Sequence, residues 1–115
     1  MKNRKKNYID NIPRIVKAWE LTEDGMVEVV VKNIGIFYRI TQKLLKKPMY
    51  SFIKLDMYGS CVWQHIDGKR SIYEIGRILE KEHSRAAEQL YERLSIFFRI
   101  LERNQFIVFE NKIEQ

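Results

Sequence analysis

The apolar residues of this chain change their spacing along its length, and that change limits the folds open to it. Val27, Val29 and Val31 alternate with Glu28 and Lys32. Residues two apart share one face of a strand, so this is the pattern of a half-buried β-strand. Ala87, Leu90, Leu94, Phe97 and Leu101 instead recur at steps of three and four, which stack on one side of a helix. A chain that uses both periods is expected to be α+β.

The remaining segments fit between these two. Residues 15–21 form a second strand-like run, joined to residues 26–32 by Thr22-Glu23-Asp24-Gly25. Asp-Gly suits a hairpin turn, because glycine tolerates positive φ. Residues 34–47 predict a short amphipathic helix, with Ile36, Phe37, Ile40 and Leu44 on one face and Arg39, Lys43, Lys46 and Lys47 on another. Pro48 stops it. Residues 50–55 are a third strand, with Ile53 and Leu55 on one face and Tyr50, Phe52 and Lys54 on the other. Asp56 is placed to cap a helix running to about Ile66. Ser71 and Glu74 form a capping box for the next helix, whose stripe is Ile72, Ile75 and Leu79. Ser84 caps the last helix, which ends near Asn104, and residues 106–109 close the chain as a short strand. The expected fold is a three-stranded antiparallel sheet with a three-helix bundle, winged helix-turn-helix-like, with an extra short helix before the third strand.

Length and charge narrow the function. The 115 residues suffice for one domain, divided as a basic flexible tail (1–12), a folded domain (13–110) and a C-terminal tail (111–115). A single cysteine, Cys61, permits no disulfide within the chain and fits a cytoplasmic setting. No secretory signal or membrane-spanning run is expected. Residues 1–55 carry 12 basic and 5 acidic side chains, and residues 56–115 carry 9 and 10. The excess positive charge thus lies on the tail and the basic helix. The last helix balances Arg93, Arg99 and Arg103 against Glu88, Glu92 and Glu102. A nucleic-acid-binding winged helix, the alternative reading, needs its cations on the recognition helix, and this placement argues against it.

Residues 54–75 carry a recognisable pattern. Leu55-Asp56 ends a strand, Gly59-Ser60-Cys61-Val62-Trp63 follows, then the turn Asp67-Gly68-Lys69-Arg70-Ser71, then Ile72-Tyr73-Glu74-Ile75. This resembles the PqqD family, in which Gly-Ser-x-Val-Trp precedes Asp-Gly-x-Arg-Thr and a helix opening with Glu-Ile. The resemblance runs from about residue 13 to residue 108. It implies a peptide chaperone, a recognition element without catalytic activity or cofactor. Such a domain binds the leader of a ribosomally synthesised precursor and presents it to a modifying enzyme, often of the radical SAM kind.

Physical reasoning supplies a site for that role. A third strand at the sheet edge offers backbone amides and carbonyls to which an extended peptide can add. Tyr50, Ser51, Phe52, Ile53, Lys54 and Leu55 are therefore the expected peptide-binding strand. Helical spacing adds Arg93, Phe97 and Ile100 from the last helix. The same edge could pair two copies of the chain as a homodimer. Cys61 and His65, four apart, suggest a thiolate–imidazole pair or half a metal site, but a metal needs more ligands, so structural roles are expected. Gly59-Ser60 lacks the G-x-S-x-G frame of a nucleophile elbow. Trp63 is expected in the core, and Lys69 and Arg70 are expected as solvated turn residues, with a structural hydrogen bond for Arg70 implied only by the resemblance to the PqqD pattern.

Overall fold

The apolar run that follows Pro13 divides in two. In a computed structural model describing residues 7–32, 50–82 and 89–111, strand β1 is Pro13–Ile15 and strand β2 is Trp19–Leu21. The Val16 amide donates to the Phe106 carbonyl, whereas the Ala18 carbonyl accepts from Val30. Every backbone amide and carbonyl removed from water needs a partner, and on the two sides of Lys17 those partners lie in different segments of the chain. The single strand expected over residues 15–21 is thus two short ones. The chain correspondingly forms two compact units, Lys17–Ser60 and the combination of Met1–Val16 with Cys61–Gln115.

In the first of these, the sheet unit, β2 runs antiparallel to β3 (Val27–Lys32), and β3 runs antiparallel to β4 (Tyr50–Lys54). The order is β2-β3-β4, the expected three-stranded antiparallel sheet. Gly25 adopts φ +82° in the turn, where Thr22 and Met26 exchange backbone and hydroxyl hydrogen bonds. The basic helix expected over residues 34–47 lies outside the described residues. Helix α1 (Met57–Trp63) starts at Asp56, whose Oδ1 accepts the Gly59 amide at 2.7 Å. This is the cap expected from the sequence, and the helix ends three residues before Ile66.

The helical unit holds α2 (Ile72–Glu82), α3 (Leu90–Arg103) and β5 (Ile107–Phe109), which pairs antiparallel with β1. The capping box at α2 is present: Ser71 Oγ accepts the Glu74 amide, and Glu74 Oε1 accepts the Ser71 amide. A Cβ at Gly76 would lie 2.4 Å from a ring carbon of Tyr91, so the glycine lets α2 approach α3 closely. Tyr91 there stacks on Tyr73, with ring centroids 5.6 Å apart. On α3 the buried stripe is Leu90, Leu94, Phe98 and Leu101. Phe98 takes the place expected for Phe97, which is half-buried. Ser84 and Ala87 lie outside the described residues.

Residues 7–12, expected within a flexible tail, are structured. Asn7 and Asp10 form a capping box around a single 3-10 turn, Tyr8–Asp10. Tyr8 is buried, with Phe109 edge-on at 5.6 Å and the Arg99 guanidinium 3.9 Å from its ring centroid. Asn11 is fully buried, and its carbonyl accepts the Ile72 amide. These contacts tie the segment to all three parts of the unit, so the folded domain starts before Pro13.

Candidate functional site

The hydrogen-bond alternation of β4 decides which of its backbone groups face outward. The Leu55 amide donates to Val27 at 2.8 Å, and Ile53 and Ser51 stand in register with Val29 and Val31. In an antiparallel ladder successive residues turn their amides to opposite sides. The amides and carbonyls of Phe52 and Lys54 therefore point away from β3. β4 is an edge strand, and among the described residues no strand pairs with its far side.

The side chains of β4 alternate as expected. Tyr50, Phe52 and Lys54 share a face with their register partners Lys32, Val30 and Glu28, and Ser51 and Ile53 share the opposite face with Val31 and Val29. Leu55 continues that second face and is half-buried. Apolar surface is open on both sides, since Tyr50, Phe52 and Ile53 are 47%, 56% and 42% exposed. A strand that leaves this much apolar area in water, beside outward-facing backbone groups, has the chemistry of a peptide acceptor.

Lys54 is held by the hairpin turn. Its Nζ lies 2.9 Å from Asp24 Oδ2. The Thr22 hydroxyl donates to the other carboxylate oxygen of Asp24. That hydrogen bond, with Lys54 second, holds the Asp24 carboxyl down at about 2.

On α3 the residues Arg93, Phe97 and Ile100 share one helical face. Arg93 and Ile100 are exposed and Phe97 is half-buried. Ile96, 55% exposed, extends the same ridge. Its spacing from Arg93 and Ile100, three and four, was the signal that would have included it. A cleft of about 330 Å³ on the same unit opens on a different face of α3, lined by Tyr91, Ser95 and Arg99 together with Asn7 and Tyr8. The six β4-region residues belong to the sheet unit and the three α3 residues to the helical unit.

The Cys61–His65 pair is structural in character. His65 Nδ1 lies 2.8 Å from the Cys61 carbonyl. A carbonyl only accepts, so Nδ1 carries the proton. Burial, and then Glu82, push the Cys61 thiol up, away from thiolate. Among the described residues no three His, Cys, Asp or Glu side chains converge as a metal site; His83 lies outside them. Trp63 is fully buried and meets Phe106 edge-on at 6.4 Å. Arg70 Nη1 donates to the His65 carbonyl at 3.4 Å, and Asp67 accepts the Lys69 and Arg70 amides. No helix of the described residues is long and apolar enough to cross a membrane.

The family model of Coenzyme PQQ synthesis protein D (PqqD) matches residues 44–107, more than half of the chain. The chain belongs to the PqqD family. The match takes in β4, the Gly-Ser-x-Val-Trp helix, both later helices and the start of β5. It leaves out residues 13–43, over which the resemblance was also expected to run. Comparison with curated proteins and with solved structures returned no match. PqqD-family membership supports a small peptide-binding accessory protein.

Proposed function

We propose that this PqqD-family domain is a peptide chaperone. It binds the leader of a ribosomally synthesised precursor as an added strand on β4 and presents it to a modifying enzyme of the radical SAM kind. The observation that carries this reading is the outward backbone of Phe52 and Lys54, flanked by exposed Tyr50, Phe52 and Ile53. Backbone pairing gives affinity that tolerates sequence, and the alternating side chains add selectivity. Arg93, Phe97 and Ile100 are proposed as further leader contacts. A small interface, below about 1,200 Å² in total, suits a carrier that releases its cargo. The chain acts in the cytoplasm and performs no catalysis of its own. In the absence of leader, the β4 edge is also a place where two copies could pair.

The test is a titration of isotope-labelled protein with the leader half of a precursor encoded beside it, followed residue by residue by NMR. Amide shifts concentrated on residues 50–55 are expected. Phe52→Asp should weaken binding at least tenfold, about 1.4 kcal/mol, and leave the dispersed spectrum of the fold unchanged. Undiminished affinity in that variant would overturn strand addition at β4.

A further inference from the structure

A strand added beside β4 has its own alternation. Whichever way it runs, the residue opposite Lys54 lies between the residues opposite Ile53 and Leu55, and those two fall on the other face. Ile53 is 42% exposed and Leu55 half-buried, so the flanking positions meet apolar surface. The middle position meets an ammonium group. Directly opposed unlike charges stabilise a strand pair, and like charges destabilise it. Glu20, Glu28 and Lys54 already stand in one row across the three strands. An added acid would touch Lys54 first, with Glu28 a further strand away.

Lys54 is not idle, however. Asp24 reaches it from the turn at 2.9 Å, with the two side chains 57% and 51% exposed. Exposed pairs of this kind are weak and exchange readily. A leader carboxylate and Asp24 would therefore draw on the same ammonium.

Resting on the strand-addition reading, we propose that Lys54 selects a leader segment with an acidic residue between two apolar ones, and that Asp24 competes with that residue for Lys54. Asp24 thus sets the affinity and holds Lys54 toward the β2–β3 turn when no leader is bound. Asp24 is ionised near neutral pH, where a leader carboxylate is ionised as well, so the two compete there.

Three synthetic peptides test this, each a threonine-rich strand former with Leu-Glu-Leu, Leu-Gln-Leu or Leu-Lys-Leu at its centre. Binding is measured by the amide shifts of β4 and by affinity, in the full chain and in Asp24→Asn and Lys54→Gln. The glutamate peptide should bind about threefold tighter than the glutamine peptide, and the lysine peptide weakest. Asp24→Asn should tighten the glutamate peptide by a similar factor and leave the glutamine peptide unchanged, while Lys54→Gln should erase the ranking. Equal affinities for the three peptides, with β4 amides shifted, would overturn the selection by Lys54 and leave strand addition standing. An equal gain for glutamate and glutamine peptides in Asp24→Asn would overturn the competition. β4 amides unmoved by all three peptides would overturn strand addition itself, and this proposal with it.

Discussion

Ser60 Oγ accepts the Val27 amide at 2.8 Å, joining the first turn of α1 to the start of β3 across 33 residues of sequence. The same hydroxyl donates to the Leu55 carbonyl at 3.2 Å, and the Leu55 amide donates to the Val27 carbonyl at 2.8 Å. Three bonds thus close a ring where the β3–β4 ladder runs out. Val27 is fully buried and Ser60 nearly so, so water cannot replace the serine. Ser60→Ala leaves the Val27 amide without a partner and should cost about 1–3 kcal/mol, read as a lower urea midpoint with an unchanged slope. This ring also gives the serine of Gly-Ser-x-Val-Trp a reason that has nothing to do with nucleophilic catalysis.

Local signals were the legible ones. Asp24-Gly25, the Asp56 cap and the Ser71–Glu74 box each act within a few residues, and each is present. Partner choice was not legible. A period of two says that residues 15–21 can be strand, but not that β1 pairs with a strand more than ninety residues later in the sequence, Pro13 with Phe109. The basic composition of residues 1–12 hid Tyr8, whose burial depends on the equally distant Phe109 and Arg99. Phe97 and Phe98 are both three or four residues from Leu94 and from Leu101, so spacing alone could not choose between them. At the site, the strand and its alternation could be read from the sequence. The outward direction of Phe52 and Lys54 could not, because it follows from the ladder register.

Cys61 should react slowly. Burial and the Glu82 carboxylate hold its thiol above the ordinary range, and the thiolate is the nucleophile. Alkylation by iodoacetamide at pH 8 should run several-fold slower than for glutathione and reach the unhindered rate in urea. Cys61→Ala should leave leader affinity unchanged. A fast, low-pH alkylation would instead restore the thiolate–imidazole reading.

Asp24 should titrate at about pH 2. Its carboxyl is depressed in the folded chain, so the stabilisation is fully present above its ordinary value of 3.8 and is lost as pH falls through about 2. The hairpin should therefore be insensitive to pH near neutrality and loosen only below about pH 4. Carboxyl-carbon NMR gives the midpoint directly. Thr22→Val and Lys54→Met should each raise that midpoint, because the hydroxyl and the ammonium both hold the carboxyl down. A midpoint unmoved by Lys54→Met would mean that the ion pair contributes nothing.

Tyr8 separates ring packing from hydroxyl chemistry. Its ring is clasped by Arg99 and Phe109, but among the described residues its buried hydroxyl has no hydrogen-bond partner. Burial, with Glu102 adding and Arg99 opposing, pushes the phenol up to about 12. Above about pH 10 the unfolded chain ionises this tyrosine and the folded chain does not, so stability should fall as pH rises from about 10 to 12. Tyr8→Phe keeps both ring contacts and removes the unsatisfied hydroxyl. It should be neutral or slightly stabilising at pH 7, and it should remove one tyrosine from the last phase of an ultraviolet alkaline titration. Tyr8→Ala discards the ring as well and should cost about 3–5 kcal/mol. A Tyr8→Phe variant that lost as much stability as Tyr8→Ala would show that the hydroxyl, not the ring, ties the N-terminal turn to α3 and β5.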